Sequence, residues 1–318
     1  MRRCAAALAA ALSLVLLAGC GSTAARPATG LAKVTDLTVA AVPAEGAAGL
    51  YIAQDDGLFA KAGLHVTIEP TENPAAVIPA MLHGSVQVLS GQYQTYIAVT
   101  AAGIADMRII AAGYALGPHV QEIMIGPKSA IRSPAQLKGA TIAVNALDSV
   151  TTDLLYTALQ PYRISPSQVH VVAIGFPAMG AALAAHRVNA IYEVEPYVTE
   201  ASEKFGDQDL DDIDSGPAQG FPVNGYGALA SWVASNPEAA KAFVKAIDEG
   251  NLIASANLAA REHALQTSLH LSPNVVDVMA AGTYPTTLDP VQIQRAVSMM
   301  RQFGQLAHPF TAASICGV

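Results

Sequence analysis

The sequence predicts an α/β protein in two lobes, each a mostly parallel sheet flanked by helices, with a helical C-terminal tail. Three observations predict it. Short β-like runs alternate with helical segments from Leu37 to Asn224, the pattern of βαβ units. The alternation forms two successive series, then gives way to helix with one further strand. The composition is 52% apolar but only 6% aromatic, so the core must come from Ala, Val, Leu and Ile on closely packed elements.

The expected strands are Leu37–Val42, His65–Glu69, Gln87–Ser90, Arg108–Ala112, Glu122–Ile125, Thr141–Asn145, His170–Ile174 and Ala190–Glu193, with Tyr226–Ala230 after the second series. Helix starts are marked by a capping residue before proline. Asn73-Pro74 opens a helix through His83 that Gly84 stops, Asn236-Pro237 one that Gly250 ends, and Asp289-Pro290 one that runs to Gly304. Ser133-Pro134 and Ser272-Pro273 repeat the device. Asp207–Asp214, with its five aspartates, reads as a solvated loop, because it lacks the turn glycine and terminal Glu of a calcium loop.

At the N-terminus, Met1-Arg2-Arg3 precedes an uncharged run from Ala5 to Leu17 and then Leu17-Ala18-Gly19-Cys20. Positive end, short apolar segment and small residues are the order of a secretory signal, and the run is too short to span a bilayer of ~30 Å comfortably. The cysteine after Ala-Gly resembles the lipobox of bacterial lipoproteins. That resemblance implies a signal peptide at 1–19, lipidation of Cys20 and a flexible tether over 20–34. Cys4 would leave with the signal, so Cys316 has no disulfide partner. The next most apolar window, Ile97–Gly117, contains Asp106 and Arg108, which argues against a second membrane segment. The expected location is extracytoplasmic, periplasmic or on the outer face, held to the membrane by lipid alone. With 13% charged residues, a net charge of −8 and no basic stripe, no nucleic-acid partner is expected.

Five stretches in family order resemble the solute-binding proteins of ABC importers, specifically the type II, SsuA/THI5-like (NMT1-like) group of sulfonate, nitrate and thiamine-precursor binders. They are YIAQDDGLFAKAGLHVTIEP (Tyr51–Pro70), LHGSVQVLSGQYQTYIAV (Leu82–Val99), QLKGATIAVN (Gln136–Asn145), AALAAHRVNAIYEVEPYV (Ala181–Val198) and NPEAAKAFVKAI (Asn236–Ile247). The first makes physical sense as two short helical turns broken at Gly57 and Gly63, with Leu58 and Phe59 turned inward. The resemblance implies a type II periplasmic-binding-protein fold. Lobe 1 would be 35–118 plus 225–318, and lobe 2 would be 119–224. It also implies an ABC permease as partner, a small-molecule ligand, no cofactor and a monomer.

The family binds ligand between lobes, at strand ends and helix N-termini. Four loops fall at such places here: Pro43–Gly49, Ser90–Tyr93, Asn145–Thr152 and Phe221–Tyr226. The candidate ligand residues in and beside them are Glu45, Ser90, Gly91, Gln92, Tyr93, Asn145, Ser149, Thr151, Thr152, Glu193, Phe221 and Asn224. Two readings stand side by side for several of them. Ser149 or Asp148 either meets ligand or caps its own helix, and Tyr93 either offers a stacking face or packs under its own helix. Glu195, followed by Pro196, reads as a helix cap rather than a ligand contact. No loop carries Arg or Lys, the usual partners of a small dianion, so the residues suit an uncharged heterocycle, an amine or a zwitterion, whereas the family's better-known ligands are sulfonate and nitrate.

Catalysis is not expected. The chain has no Gly-x-Ser-x-Gly elbow, HExxH helix or CxxC pair, and its eight histidines are scattered, so no metal site is expected either. Two alternatives remain beside the receptor reading. One is an extracytoplasmic enzyme on the same scaffold, like the thiamine-pyrimidine synthases, although their cysteine cluster is missing. The other is a ligand-sensing partner of a signalling receptor.

Overall fold

The computed structural model describes residues 35–318. The expected signal peptide, Cys20 and the tether lie outside the described residues. The chain opens with β1 (Thr35–Ala41), α1 (Ala48–Asp55), α2 (Leu58–Lys61), β2 (Leu64–Pro70), α3 (Ile78–Leu82), β3 (Val88–Gln92), α4 (Tyr93–Ala101) and β4 (Met107–Ala115). It crosses through residues 116–120 into β5 (Gln121–Ile125), β6 (Thr141–Val144), α5 (Val150–Leu159), β7 (His170–Ala173), α6 (Phe176–Ala184), β8 (Ala190–Val194), α7 (Tyr197–Phe205) and β9 (Gln208–Asp212). Residues 213–221 lead back to β10 (Pro222–Leu229). The tail follows as α8 (Ala230–Ser235), α9 (Pro237–Ala256), α10 (Leu258–Leu269), α11 (Pro273–Val278) and α12 (Pro290–Gln302).

Two five-stranded sheets result, ordered β2-β1-β3-β10-β4 and β7-β6-β8-β5-β9. In the first, β1 runs parallel to β2 and β3; in the second, β6 runs parallel to β7 and β8. The single strand that arrives directly from the other lobe, β10 in one sheet and β5 in the other, runs antiparallel to both of its neighbours. The two halves are thus built on one plan, with the antiparallel strand in fourth place in each sheet order. The two crossings are joined where the Leu116 N–H donates to the Phe221 carbonyl at 2.9 Å.

Local sequence explains most element ends. Gly57 and Gly63 take left-handed φ of 65° and 78°, separating α1, α2 and β2, and Leu58 and Phe59 are buried as expected. The Asn73 side chain accepts from the Ala75 N–H, but Pro79 and the short span make the expected Asn73–His83 helix a 3-10 turn, Pro74–Val77, running into α3. β4 runs three residues beyond the expected Ala112, and β10 starts at Pro222, so residues 222–224 pair within the first sheet.

Two expectations are corrected. Gly250 does not end its helix. α9 continues to Ala256, because Gly250 serves close packing instead: a Cβ there would collide with the carbonyl oxygen of Gly49 on α1. Neighbouring Asn251, buried, donates from Nδ2 to the Ala112 and Pro285 carbonyls at 3.1 and 2.8 Å, pinning α9 to β4 and the tail. Likewise Asp207–Asp214 is not merely a loop, since it contains β9, an edge strand paired with β5. Aspartates on an edge discourage further strand addition.

The tail closes the molecule. The Ile109 N–H donates to the Ile315 carbonyl at 2.7 Å and the Gly317 N–H returns to Ile109 at 2.9 Å, so the segment around Cys316 covers the free edge of β4. Phe243 of α9 stacks on Phe59 at 5.4 Å and meets Tyr226 edge-on at 5.6 Å, pairs worth about 0.5–1.5 kcal/mol each beyond their burial. From α12, the Arg295 guanidinium donates to the carbonyls of Pro217, Gln219 and Gly220 on the second crossing.

Candidate functional site

The C-terminal ends of β1 and β3 in one lobe face the loops after β6 and β8 in the other, and a cleft runs between them. Its inner part is a cavity of about 60 Å³, walled by Val42, Tyr114, Val120, Val150, Phe176, Val194 and Val223. Five of the candidate residues line it: Glu45, Gly91, Gln92, Thr151 and Asn224. An outer pocket of about 560 Å³ lies between residues 73–75, α4, the 145–149 loop and residues 300–305 of the tail, and it meets the inner cavity at Gln92. Among the described residues, neither wall includes a lysine or arginine.

Glu45 is the most deeply buried charge-bearing group in the inner cleft. It sits at the first turn after β1, where the Tyr284 hydroxyl donates both to its carboxylate and, at 3.2 Å, to its carbonyl. Its second oxygen, Oε2, has no hydrogen-bond partner among the described residues. Burial pushes its pKa up to about 7, against the opposing pull of the neighbouring Tyr284 and Tyr114 hydroxyls. Across the cleft Glu195, at the end of β8, is also pushed up to about 7 by burial, opposed by the Thr199 N–H and hydroxyl and by the Ala280 N–H. The Glu45 N–H donates to the Glu195 carbonyl at 3.2 Å, so the two lobes touch at the site itself.

Glu195 therefore does what the sequence suggests and more. It caps α7 through Thr199, with N–H and hydroxyl contacts of 3.1 and 2.9 Å, and it also lines the cleft and accepts from Ala280 of the tail at 3.1 Å. Near it, the Gln121 side chain accepts from the Tyr192 hydroxyl, and the Asn224 Oδ1 is buried without a partner. The inner cleft thus offers two carboxylates poised near neutrality, three amide side chains and a largely apolar wall. Ionised, the carboxylates accept N–H donors; protonated, they can donate.

The remaining candidates lie elsewhere. Ser90 and Glu193 line neither pocket, and both are buried within their own lobes. Glu193 is buried toward Asp207 and Glu200, and burial holds its carboxyl well above the ordinary range. Tyr93 packs inside lobe 1 with its hydroxyl against Gly225, a place that only a residue without a side chain leaves open, so the packing alternative holds. Phe221 lies under the Arg295 guanidinium, 5.4 Å from ring centroid to Cζ, in a separate surface depression.

The Asn145–Thr152 loop satisfies itself. Ser149 Oγ donates to the Ala146 carbonyl at 2.7 Å and lies 2.8 Å from Thr151 Oγ1, which donates to Asn145 Oδ1 at 2.6 Å. Thr152 Oγ1 turns back to the Ala146 carbonyl at 2.9 Å and reaches neither pocket. Asn145 and Ser149 line the outer pocket, and Thr151 the inner cleft. Residues that the sequence reading passed over are Tyr114, Gln121 and Phe176 in the inner cleft and Gln94 and Gln305 in the outer pocket. A signal existed for Tyr114 and Gln121, which flank the crossing between the two strand series, but none for Gln305 in the tail.

Comparison with known proteins agrees with this architecture. Over 199 residues, 62% of this chain, the sequence is 29% identical to the taurine-binding periplasmic protein of Escherichia coli. Over 142 residues, 45% of this chain, it is 26% identical to the formylaminopyrimidine-binding protein of Halalkalibacterium halodurans. The matched stretches span 60% and 42% of those relatives. Among solved structures, the alkanesulfonate-binding protein SsuA from Xanthomonas axonopodis pv. citri, bound to MOPS, superposes with a TM-score of 0.74 at 17% identity, covering 89% of this chain and 98% of that one. The fold is that of the type II periplasmic binding proteins. The NMT1/THI5 like family pattern matches residues 45–257, more than half of the sequence, and the chain belongs to that family.

Proposed function

We propose that the protein is the extracytoplasmic solute-binding receptor of an ABC importer. It would be lipid-anchored through Cys20, would trap a small nitrogen-bearing solute between its lobes, and would hand it unaltered to the permease. The observation that carries this reading is the inner cleft itself: Glu45 and Glu195 line it beside Gln92, Gln121 and Asn224, and among the described residues no lysine or arginine lines it. A sulfonate or nitrate placed there would meet two carboxylates and no guanidinium. An aminopyrimidine, an amine or a zwitterion presenting its ammonium would find acceptors already desolvated.

The inner volume of about 60 Å³ is far below the roughly 300 Å³ at which small-molecule sites begin, so ligand admission requires the lobes to part. Closing them around ligand couples occupancy to the shape that the permease meets. A thermal-shift panel of aminopyrimidines, amines, taurine, alkanesulfonates and nitrate tests the ligand class. A true ligand at a hundred times its Kd adds about 2.7 kcal/mol. Stabilisation by alkanesulfonates and nitrate alone would overturn the preference for N–H donors. Mass spectrometry of the ligand recovered after denaturation tests for turnover, and a changed mass would contradict binding without chemistry. Anchoring is read from the mature N-terminal peptide, which should carry diacylglyceryl on Cys20 and should disappear in Cys20→Ala.

A further inference from the structure

Outside the cleft, where the first crossing meets the rim of the second sheet, three potential metal donors converge. His119 Nδ1 lies 2.8 Å from Glu122 Oε1 and 3.8 Å from Asp212 Oδ2, and the three donor atoms all fall within 4.8 Å of one another. They come from three places in the fold. His119 is on the crossing, held in the left-handed region at φ 63°; Glu122 is on β5; Asp212 is on β9. Glu122 and Asp212 sit directly opposite each other in the antiparallel register. Two carboxylates in that relation repel unless one holds a proton or something positive sits between them.

The independent observation is Glu122 itself. It is only 1% exposed, yet its Oε2 has no hydrogen-bond partner, so a carboxylate has been taken out of water without the contacts that normally offset the cost. Its one contact points at His119. Asp212 has its other oxygen, Oδ1, occupied by the Asp214 N–H at 2.9 Å, which leaves Oδ2 turned to the imidazole.

We propose that His119, Glu122 and Asp212 form a binding site for a divalent transition-metal ion of the zinc type, separate from the solute cleft. An ion bonded to each donor at about 2.0–2.2 Å sets the donor atoms roughly 3–3.5 Å apart. That lies between the two separations seen here, so small side-chain rotations complete the site. One imidazole with two carboxylates selects Zn²⁺, Co²⁺ or Mn²⁺ over Ca²⁺, which prefers oxygen alone. Exposure of the His119 side chain, 69%, leaves a path from solvent and room for water at the remaining position. A bound ion would tie the crossing segment to the rim of the second sheet.

The test is calorimetric titration of ZnCl₂ into chelator-treated full-length protein, alongside His119→Ala, Asp212→Asn and His65→Ala. His65 is another exposed histidine beside a carboxylate, Asp36, and serves as the control. One saturable equivalent is expected in the wild type and in His65→Ala, weakened at least tenfold in the other two. His119 is exposed but takes a left-handed φ that alanine adopts less readily, so circular dichroism checks that each variant folds. Co²⁺ loading should give a visible absorption band that His119→Ala abolishes and that excess Ca²⁺ leaves in place. Absence of saturable Zn²⁺ uptake, uptake retained by both site variants, or displacement of Co²⁺ by Ca²⁺ would overturn the assignment. None of these readouts depends on the solute ligand, so failure here is distinguishable from failure of the receptor reading.

Discussion

The inner cleft and the 145–152 loop are neighbours, both rich in polar atoms, and they differ in one respect. In the loop every hydroxyl already has a partner: Ser149 and Thr152 turn to the Ala146 carbonyl, and Thr151 to Asn145. In the cleft, Glu45 Oε2 and Asn224 Oδ1 are buried with none. A polar group that has spent its hydrogen bonds on its own backbone holds a loop in shape. One that is desolvated and unpaired carries a penalty that a ligand can relieve, and recognition concentrates there. By this measure the proposed recognition of solute falls to Glu45 and Asn224 rather than to the loop hydroxyls.

The largest expected consequence is at Glu45. Glu45→Gln keeps the shape and the Tyr284 contact but removes the charge. It should weaken the best nitrogen-bearing ligand by roughly 30–100-fold, as expected for losing a charge-assisted hydrogen bond. Calorimetric Kd values measure it. An unchanged Kd would place recognition elsewhere and dissolve the contrast between the two regions.

The second consequence is a pH dependence of stability. Glu45 is pushed from its ordinary 4.5 up to about 7 in the folded chain, chiefly by burial, and Glu195 behaves the same way. The folded state then holds these protons more tightly than the unfolded one. Their contribution is fully present below about pH 4.5 and is lost as pH rises through about 7. Urea unfolding of the ligand-free protein should show the wild type losing on the order of 2 kcal/mol more than Glu45→Gln between pH 5 and pH 8. Parallel curves would mean that Glu45 is solvated after all.

How much of this was legible in the sequence follows from the same physics. Capping residues, proline starts and alternating strand patterns act over a few positions, so the two strand series, the α1–α2 break at Gly57 and most helix starts could be read directly. Gly250 misled because a glycine that lets α9 touch α1 looks, in one dimension, like a glycine that stops a helix. Tyr93 stayed undecided for the complementary reason, since the space that it fills is made by Gly225 on a strand far away in sequence. The loops around the cleft could be placed from the strand ends, and Glu45, Gln92 and Asn224 with them. The surroundings of Glu45 and Glu195 could not, because Tyr284, which meets Glu45, and Ala280, which meets Glu195, lie in a tail that returns from the far end of the chain.

The third expected effect is smaller and tests the loop side of the contrast. Ser149→Ala combined with Thr152→Ala removes two internal hydrogen bonds and should cost about 1–2 kcal/mol of stability. Ligand affinity should change less than threefold. A tenfold loss of affinity with stability unchanged would show that these hydroxyls leave their backbone partners to meet the solute.

The smallest effect belongs to Gln94, which tests where the recognition boundary lies. It is 4% exposed on the wall of the outer pocket, and neither end of its amide has a partner. By the argument applied to Glu45, such a group either waits for ligand or carries an unrelieved cost. Gln94→Met separates the two, because it keeps the volume and removes the amide. If the solute is read only in the inner cleft, the variant gains about 0.5–1 kcal/mol in urea unfolding and binds within twofold of wild type. If the amide instead reaches the solute across the boundary at Gln92, the same gain in stability comes with a loss of about tenfold in affinity. The functional site would then extend into the larger pocket, with Gln94 and Glu45 marking its two ends.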